Sequence, residues 1–511
     1  MVGTDLALGL TVVTLVVFAG LGIWYSRGRV TSVEDLVSAR DSAGERRTTA
    51  TLVASVMGVW ILFAAPEAGA GFGIAAVIGY AIGEAVPMAV YAKLGPRIRE
   101  LMPDGHSLTE YAHARYGDAM YAFVLVVSAL YMFIFVAAEL TGIAGALAFV
   151  AGVPHWQTAI LVGGAVLAYT TYGGLEASMF TDTVQALVVF PLLIVALVGV
   201  LVSLGGVGPV YEGVAATNPA LLDPGFVPGL QFGIALAFAI LGAELVNQTW
   251  WQRIYAGKTS ETVSRGFRNA TVVNGAVVFL AALVGVVAVG HADIVADVTS
   301  AGYNADVAFF VLLESAVPSW VVLAVVLVAL LLVMSSVDTL FNALSCLVTV
   351  DLARMLPDSS DKQLTLGARA FTVLVALAAV YVSLRAQSVL RLFFLADLLG
   401  AAVAFPLVYG LYSTRLTGAG ALVSSLTGLG VGIAYFPDFR SVTTGMPVIG
   451  DLLPAADPLY LTSFAGAFIV SAVVAVVAAR VSTTEFDLGG LTQKVRRLDD
   501  SAADRASVQS D

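Results

Sequence analysis

Cysteine is almost missing: Cys346 is the only one in 511 residues. That excludes a disulfide framework and any cysteine-based metal or iron–sulfur site. Charge is scarce as well. Charged residues make up 12% of the chain and hydrophobic ones 59%, where a soluble globular domain carries about 25% charged residues. Mean hydropathy is +0.91. This balance excludes a soluble enzyme, a disordered protein and a nucleic-acid binder. Lysine is the scarcest charge, with 4 against 21 arginines, and acid outnumbers base 36 to 25. Excess acid with little lysine is how proteins stay hydrated in very high salt, which fits a halophilic source. A GC-rich genome favouring Ala, Val, Gly and Arg produces the same bias. No pair among His106, His113, His155 and His291 sits at metal-ligand spacing on a membrane helix. There is no phosphate-binding Gly-rich loop with Lys and no nucleophile motif. ATP-driven transport, catalysis and an organic cofactor are therefore not expected.

What the chain has is long apolar runs. A spanning helix needs roughly 20 mostly apolar residues, and thirteen such runs occur. They cover about 5–25, 49–74, 75–96, 119–151, 156–173, 180–204, 229–254, 268–290, 318–350, 366–384, 389–412, 417–436 and 459–480. The expected class is an all-α polytopic membrane protein, its 50 glycines letting helices pack closely. The first run begins at acidic Asp5 with no small-residue cleavage site after it, so it reads as a span, not a secretory signal. Alternate loops and the C-terminal segment hold 22 of the 25 Lys and Arg; the opposite side holds Arg385, Arg391 and Arg440. The positive-inside rule then places the N-terminus outside and the C-terminus in the cytoplasm of a cell-membrane protein. Residues 481–511 are polar and acidic and read as a disordered tail too short for a catalytic domain. Segment 291–318 has acids but no Lys or Arg, and reads as a short amphipathic helix over the outer face.

Two runs are interrupted. In the second, Pro66 removes an N–H and Glu67 places an ionisable group in an apolar stretch. Glu67 is either functional or a wetted residue near the outer end. In the seventh, Gly242, Glu244, Asn247, Gln248 and Gln252 break an apolar pattern, so a break near 242–247 is expected. Interrupted helices five spans apart point to two inverted repeats with a site at the midplane. Residues 49–204 would form the first five-helix repeat and 229–412 the second. Residues 1–48 precede them with one helix and a basic loop, and 413–480 add two helices.

The ninth run carries a polar stripe. Ser335, Asp338, Thr339, Asn342 and Ser345 share one face of a helix otherwise built of Val, Leu and Ala. Such a face packs on protein or a cavity. It is either interhelical glue or an ion site, and Asp338 favours the ion. A hard monovalent cation such as Na+ suits neutral oxygens. The Ser335 and Ser336 hydroxyls facing carbonyls freed after Ala54 would make such a shell.

At these residues the sequence resembles the sodium:solute symporter family over roughly 30–480. Four segments carry the resemblance: Tyr169–Ala177 running on to Thr181–Gln185, Met334–Thr339, Trp251–Ala256 and Glu34–Arg40. The resemblance implies a LeuT-type 5+5 fold of about thirteen helices and one sodium site between spans 2 and 9. Its ligands would be the carbonyls of Ala54, Met57 and Leu332 and the hydroxyls of Ser335 and Ser336. Asp182 matches the family's acidic residue on the inward sodium path, and Asp338 is expected on the same ion path. Val56 stands where proline symporters have Asp. The segments Gly105–Tyr111 and Ala114–Gly117 are similar to a loop of urea and polyamine symporters.

The expected function is sodium-coupled secondary active symport of a small organic solute, an amino acid such as proline or else urea, by alternating access. Candidate solute contacts are Trp60, Glu67, Tyr80, Glu84, Glu244, Gln248 and Trp251. Glu139 and Asp397 read better as hydrogen-bonding groups between helices. A solute with a cationic amine would account for several buried acids. The expected partners are that solute and lipid, with no nucleic acid, in a monomer or loose oligomer. Three alternatives stay open: proton coupling, an uncoupled carrier, and a solute sensor on a transporter fold.

Overall fold

The computed structural model describes residues 3–29, 32–356, 360–386, 388–447, 450, 453–495, 497 and 498. The described residues form helices and no strand. In chain order these are α1 (Thr4–Ser26), α2 (Val33–Val37), α3 (Glu45–Val56), α4 (Ala64–Leu101), α5 (Leu108–Tyr116), α6 (Asp118–Ala151) and α7 (His155–Ser203). Then follow α8 (Val207–Thr217), α9 (Val227–Leu245), α10 (Gln248–Ala256), α11 (Ser260–His291), α12 (Ala308–Ala316) and α13 (Ser319–Met355). The last are α14 (Asp361–Ser383), α15 (Val389–Tyr409), α16 (Gly418–Tyr435), α17 (Pro437–Thr444) and α18 (Leu459–Val481), with a final turn, α19 (Leu491–Lys494).

Eleven of the helices are long and apolar enough to cross a membrane, against the thirteen runs read from the sequence. Two of the eleven, α4 and α7, are bent back on themselves at Gly73 (φ 67°) and Gly174 (φ 55°). This left-handed backbone is open to glycine and strained for other residues. Neighbouring helices record the reversal. Along α11, Gly266 meets Thr48 of α3 and Gly285 meets Pro66 and Ala70, so the chain climbs beside it. Beyond Gly73 the order inverts: Gly275 meets Ala81 and Ala85, and Phe267 stacks on Tyr91. In α7 the first limb lies against α14, with Thr171 near Arg369 and Gly163 near Val380. The second limb lies against α13, Ser178 meeting Asp338 and Asp182 meeting Ser335. α13 and α14 form a hairpin, closed where Leu352 meets Gly367.

Burial sorts the helices into layers. In α13 78% of the most apolar window is buried inside the protein, against 22% in α1, α7 and α14. α13 is therefore the central post, and the outer helices turn Val and Leu toward the surroundings, as lipid permits. The segment before α13 forms α12, with Phe309 and Phe310 buried. Residues 482–495 fall in the stretch expected to be a disordered tail, but they pack on the body. Phe486 lies under Arg115, Leu491 is fully buried and the Phe486 N–H donates to the Thr414 carbonyl. Residues 499–511 lie outside the described residues.

A Cβ at Gly73 would sit 2.5 Å from the Leu221 carbonyl oxygen on strained backbone. Gly73→Ala is expected to cost about 1–3 kcal/mol, read as a lowered Tm in detergent. Gly20→Ala, with open space around it, should leave Tm unchanged.

Candidate ion and solute site

Both expected interruptions occur. The first separates α3 from α4: Met57 and Gly58 are extended, and one 3₁₀ turn covers Val59–Leu62. The second separates α9 from α10 at Val246 and Asn247. Each frees backbone groups that must find partners away from water. At the first break the Val59 N–H donates to Glu139 (2.8 Å), and the Trp60 indole N–H donates to the Val56 carbonyl (2.9 Å). The Ser336 hydroxyl lies 3.3 Å from the Met57 carbonyl and 3.2 Å from that of Leu332. At the second, the Tyr91 hydroxyl donates to the Leu245 carbonyl (3.1 Å), while Asn247 Oδ1 caps α10 by accepting from the Thr249 N–H (3.0 Å).

The polar stripe of α13 faces protein along its length. The Ser335 hydroxyl donates to Asp182 Oδ1 (2.5 Å). Asp182 Oδ2 accepts from Thr51 (2.5 Å) and Ser55 (3.2 Å), and Arg253 Nη2 lies 3.5 Å away. Asp338 accepts from Tyr169 (2.5 Å) and Ser178 (2.7 Å), both on α7. Thr339 and Ser55 take the Arg253 guanidinium at 2.7 and 2.9 Å. Asp182, Asp338 and Arg253 are fully buried, so two carboxylates and one guanidinium share a hydroxyl-rich pocket where α3, α7, α10 and α13 meet. Asp338 thus ties both limbs of α7 to the post, with both oxygens engaged.

The five expected ion ligands come together around this point. Ser336 joins the carbonyls of Met57 and Leu332, while Ala54, Leu332 and Ser335 line a small void with Gln185. Gln185 ends the segment Thr181–Gln185 singled out in the sequence but was given no role there, and its amide is buried with neither polar atom hydrogen-bonded. Its i+3 spacing from Asp182 was the available signal.

Above lies a cavity of about 40 Å3, walled by Trp60, Tyr80, Glu84, Glu244 and Ser336. Four of the seven expected solute contacts therefore meet there. The other three do not. Glu67 lies in a separate vestibule of about 960 Å3 with Asp306, Arg385 and Arg391, accepting from the Tyr303 hydroxyl at 2.5 Å. Gln248 sits in the connection to the loop after α4, where its amide holds the Leu108 N–H and the His106 carbonyl (2.8 and 3.1 Å). Trp251 stacks on Tyr111 at 5.6 Å. Helical phase explains the departures of Gln248 and Trp251: after the break at Asn247, side chains of α10 point to new neighbours. Glu139 and Asp397, read as bracing groups, both line the cavity, with Asn247, Trp250, Phe135 and Phe393.

Below the site, the loop ends of α2, α4 and α5 meet at His106, which is buried between Glu34 (2.6 Å) and Glu110 (3.1 Å). Burial opposes the charged ring, but the two carboxylates outweigh it and push His106 up to about 9. Arg40 also pairs with Glu34 (2.9 Å). Among the described residues no cluster of three His, Cys, Asp or Glu is arranged to hold a metal ion.

A sheltered cavity between two interrupted helices, with hydroxyls and carbonyls beneath it, is the geometry that a carrier requires. Residues 38–428 match the sodium:solute symporter family, and the chain belongs to that family, whose members are transporters and not enzymes. The spermidine transporter of Candida albicans is 27% identical over 76% of this chain and 71% of its own length. The osmoregulated proline transporter of Bacillus subtilis is 24% identical over 92% of this chain and 95% of its own. Among solved structures, a substrate-bound, outward-open Na+-coupled sialic acid symporter superposes with a TM-score of 0.74 at 16% identity, covering 94% of this chain and 98% of its own. A nucleobase-cation-symport-1 family transporter in a closed conformation gives 0.57 at 13% identity, covering 90% and 98%. These two likenesses show the fold.

His106 is raised above its ordinary 6.5, so its contribution is complete below about pH 6.5 and is lost as pH rises through about 9. Glu34 is held low and contributes above its ordinary range. His106→Gln is expected to lose on the order of 3 kcal/mol of stability at pH 6 and little above pH 10, measured as the wild-type-minus-variant Tm difference across that range.

Proposed function

We propose that this protein imports a small organic solute together with Na+ by alternating access. The observation that carries this is Ser336, which belongs to two structures at once. Its hydroxyl joins the carbonyls of Met57 and Leu332, and it also forms part of the cavity wall beside Trp60 and Glu84. An ion held by Ala54, Met57, Leu332, Ser335 and Ser336 would therefore stiffen the floor on which a solute rests. Each would favour the other, which is the thermodynamic content of coupling.

The chemistry of the five groups suits Na+. All are neutral oxygens, and neutral oxygens release a monovalent ion more readily than a first-shell carboxylate does. The Ser335 hydroxyl donates its hydrogen bond to Asp182, leaving oxygen lone pairs for the ion. Asp182 and Arg253, lying lower in the bundle, would meet the ion as it leaves. Asp338 acts there as a brace. Sodium entering down 100 mV gains about 2.3 kcal/mol, and a tenfold concentration ratio adds about 1.4 kcal/mol.

Counting the limbs of α4 and α7 separately gives thirteen passes, with residues 49–204 and 229–412 as inverted repeats. The interrupted segment of each repeat borders the cavity. In the cell membrane the N-terminus would lie outside and the C-terminus in the cytoplasm. Arg40, Arg99 and Arg115 at the His106 end would then face the cytoplasm, and the vestibule of Glu67 and Tyr303 the exterior. The relatives offer proline and spermidine as candidate solutes for this chain, and urea is a third. A second reading puts a proton in place of Na+, because four carboxylates border the cavity.

The test is uptake into proteoliposomes under an inward Na+ gradient, a K+ gradient or a pH gradient alone. Uptake is expected to require Na+ and to fall at least tenfold in Ser335→Ala with Ser336→Ala. Full uptake from the pH gradient without Na+ would instead establish proton coupling.

A further inference from the structure

Glu84, Glu139, Glu244 and Asp397 face one small cavity that no Lys, Arg or His lines among the described residues. Two of the four are answered by the protein. Glu139 accepts the Val59 N–H, and Glu244 accepts from the Tyr131 hydroxyl (3.2 Å), the Asn247 amide (3.2 Å) and the Trp250 indole. The other two are left open. Glu84 and Asp397 are more than nine-tenths buried and accept no hydrogen bond from the described residues, and Glu84 Oε2 is wholly shielded without a partner. They arrive from α4 and α15, on separate sides of the cavity wall. Glu84, Glu244 and Asp397 are near enough to feel one another's charge.

Like charges buried together without a counter-ion are prohibitive. The protein supplies no cation here, so these acids either hold protons or are matched by a cation that the solute brings. We propose that the cavity binds a linear aliphatic diamine or polyamine, with ammonium groups on Glu84 and Asp397. This rests on the symport reading above and names its substrate class.

The remaining walls fit that chemistry. Trp60 and Tyr80 stack with ring centroids 5.5 Å apart, and Phe135 and Phe393 stand opposite. Aromatic faces attract ammonium groups and cover methylenes. An amino acid would bring a fifth carboxylate among four, and a neutral amide would leave both open charges uncancelled. The vestibule continues the sign: Glu67, Asp297, Asp306 and Asp438 line it against Arg385 and Arg391, and Arg391 is paired with Asp438. Such a mouth concentrates cations ahead of the cavity.

The test joins binding to transport on the full-length protein. Binding is read by tryptophan fluorescence with butane-1,4-diamine, butylamine, butane-1,4-diol, proline and urea. Uptake of the same solutes is read in proteoliposomes with an Na+ gradient and the membrane potential clamped at zero. The diamine is expected to bind at least tenfold more tightly than butylamine and far more tightly than the diol. Glu84→Gln and Asp397→Asn should each weaken the diamine at least tenfold while leaving butylamine within a few-fold in one of the two. Diamine binding with Na+-driven diamine uptake supports both proposals. Na+-driven uptake of proline or urea without diamine binding overturns the substrate class and leaves symport standing. Diamine binding without any Na+-driven flux does the reverse. A diol that binds as well as the diamine also overturns the class, whatever the variants do.

Discussion

Backbone groups freed inside a membrane must be satisfied by the protein itself, and this one constraint organises the centre of the molecule. Interrupting the chain at Met57–Leu62 exposes N–H and carbonyl groups that α3 would otherwise have used. Glu139 takes the Val59 N–H, and Ser336 takes up the Met57 carbonyl. These partners must themselves be polar and buried, so the break explains the polar positions on α6 and α13. The same break leaves carbonyls with spare lone pairs beside a hydroxyl. The proposed ion site would use the oxygens that this patching leaves available.

Charge is distributed in tiers along the bundle. The vestibule and cavity carry carboxylates, two of them unanswered. Below, Asp182 pairs with the buried guanidinium of Arg253, which Ser55 and Thr339 also hold, while Asp338 is held by hydroxyls from Tyr169 and Ser178. Lower still, His106 is clamped by Glu34 and Glu110. Gln248 connects the tiers: it follows the break at Asn247, accepts from the Leu108 N–H and donates to the His106 carbonyl. A movement of α10 that opened the cavity downward would have to break those two bonds. The solute-facing segment and the loop end are thus mechanically continuous, without any charge passing between them.

Much of this was legible in the chain. Apolar runs, the placement of arginine and the two interrupted patterns are local properties; the second break falls at the end of the Gly242–Asn247 stretch, and the first lies just ahead of Pro66, which sits in the first turn of α4. The stripe on α13 was legible for the same reason, since helical spacing alone sets which residues share a face. The difference between thirteen runs and eleven long helices rests on Gly73 and Gly174, whose conformation is invisible in hydropathy. Glu139 and Asp397 were read as hydrogen-bonding groups between helices, and Glu139 does hold the Val59 N–H. Their shared cavity depends on how α6 and α15 are rotated about their axes. Gln248 and Trp251 were assigned to the solute because they follow the break closely, but α10 restarts with its own phase and turns them to α5 and its loop.

The sequence by itself determined the class of protein, the two places where helices open and the face of α13 that meets them. It could do so because hydropathy and helical period act within twenty residues. Only the tertiary structure decided which acids stand together and which have partners. That outcome depends on the juxtaposition of α4, α6, α9 and α15, set by packing between residues more than a hundred positions apart. Two carboxylates become a binding site only when no donor is folded against them.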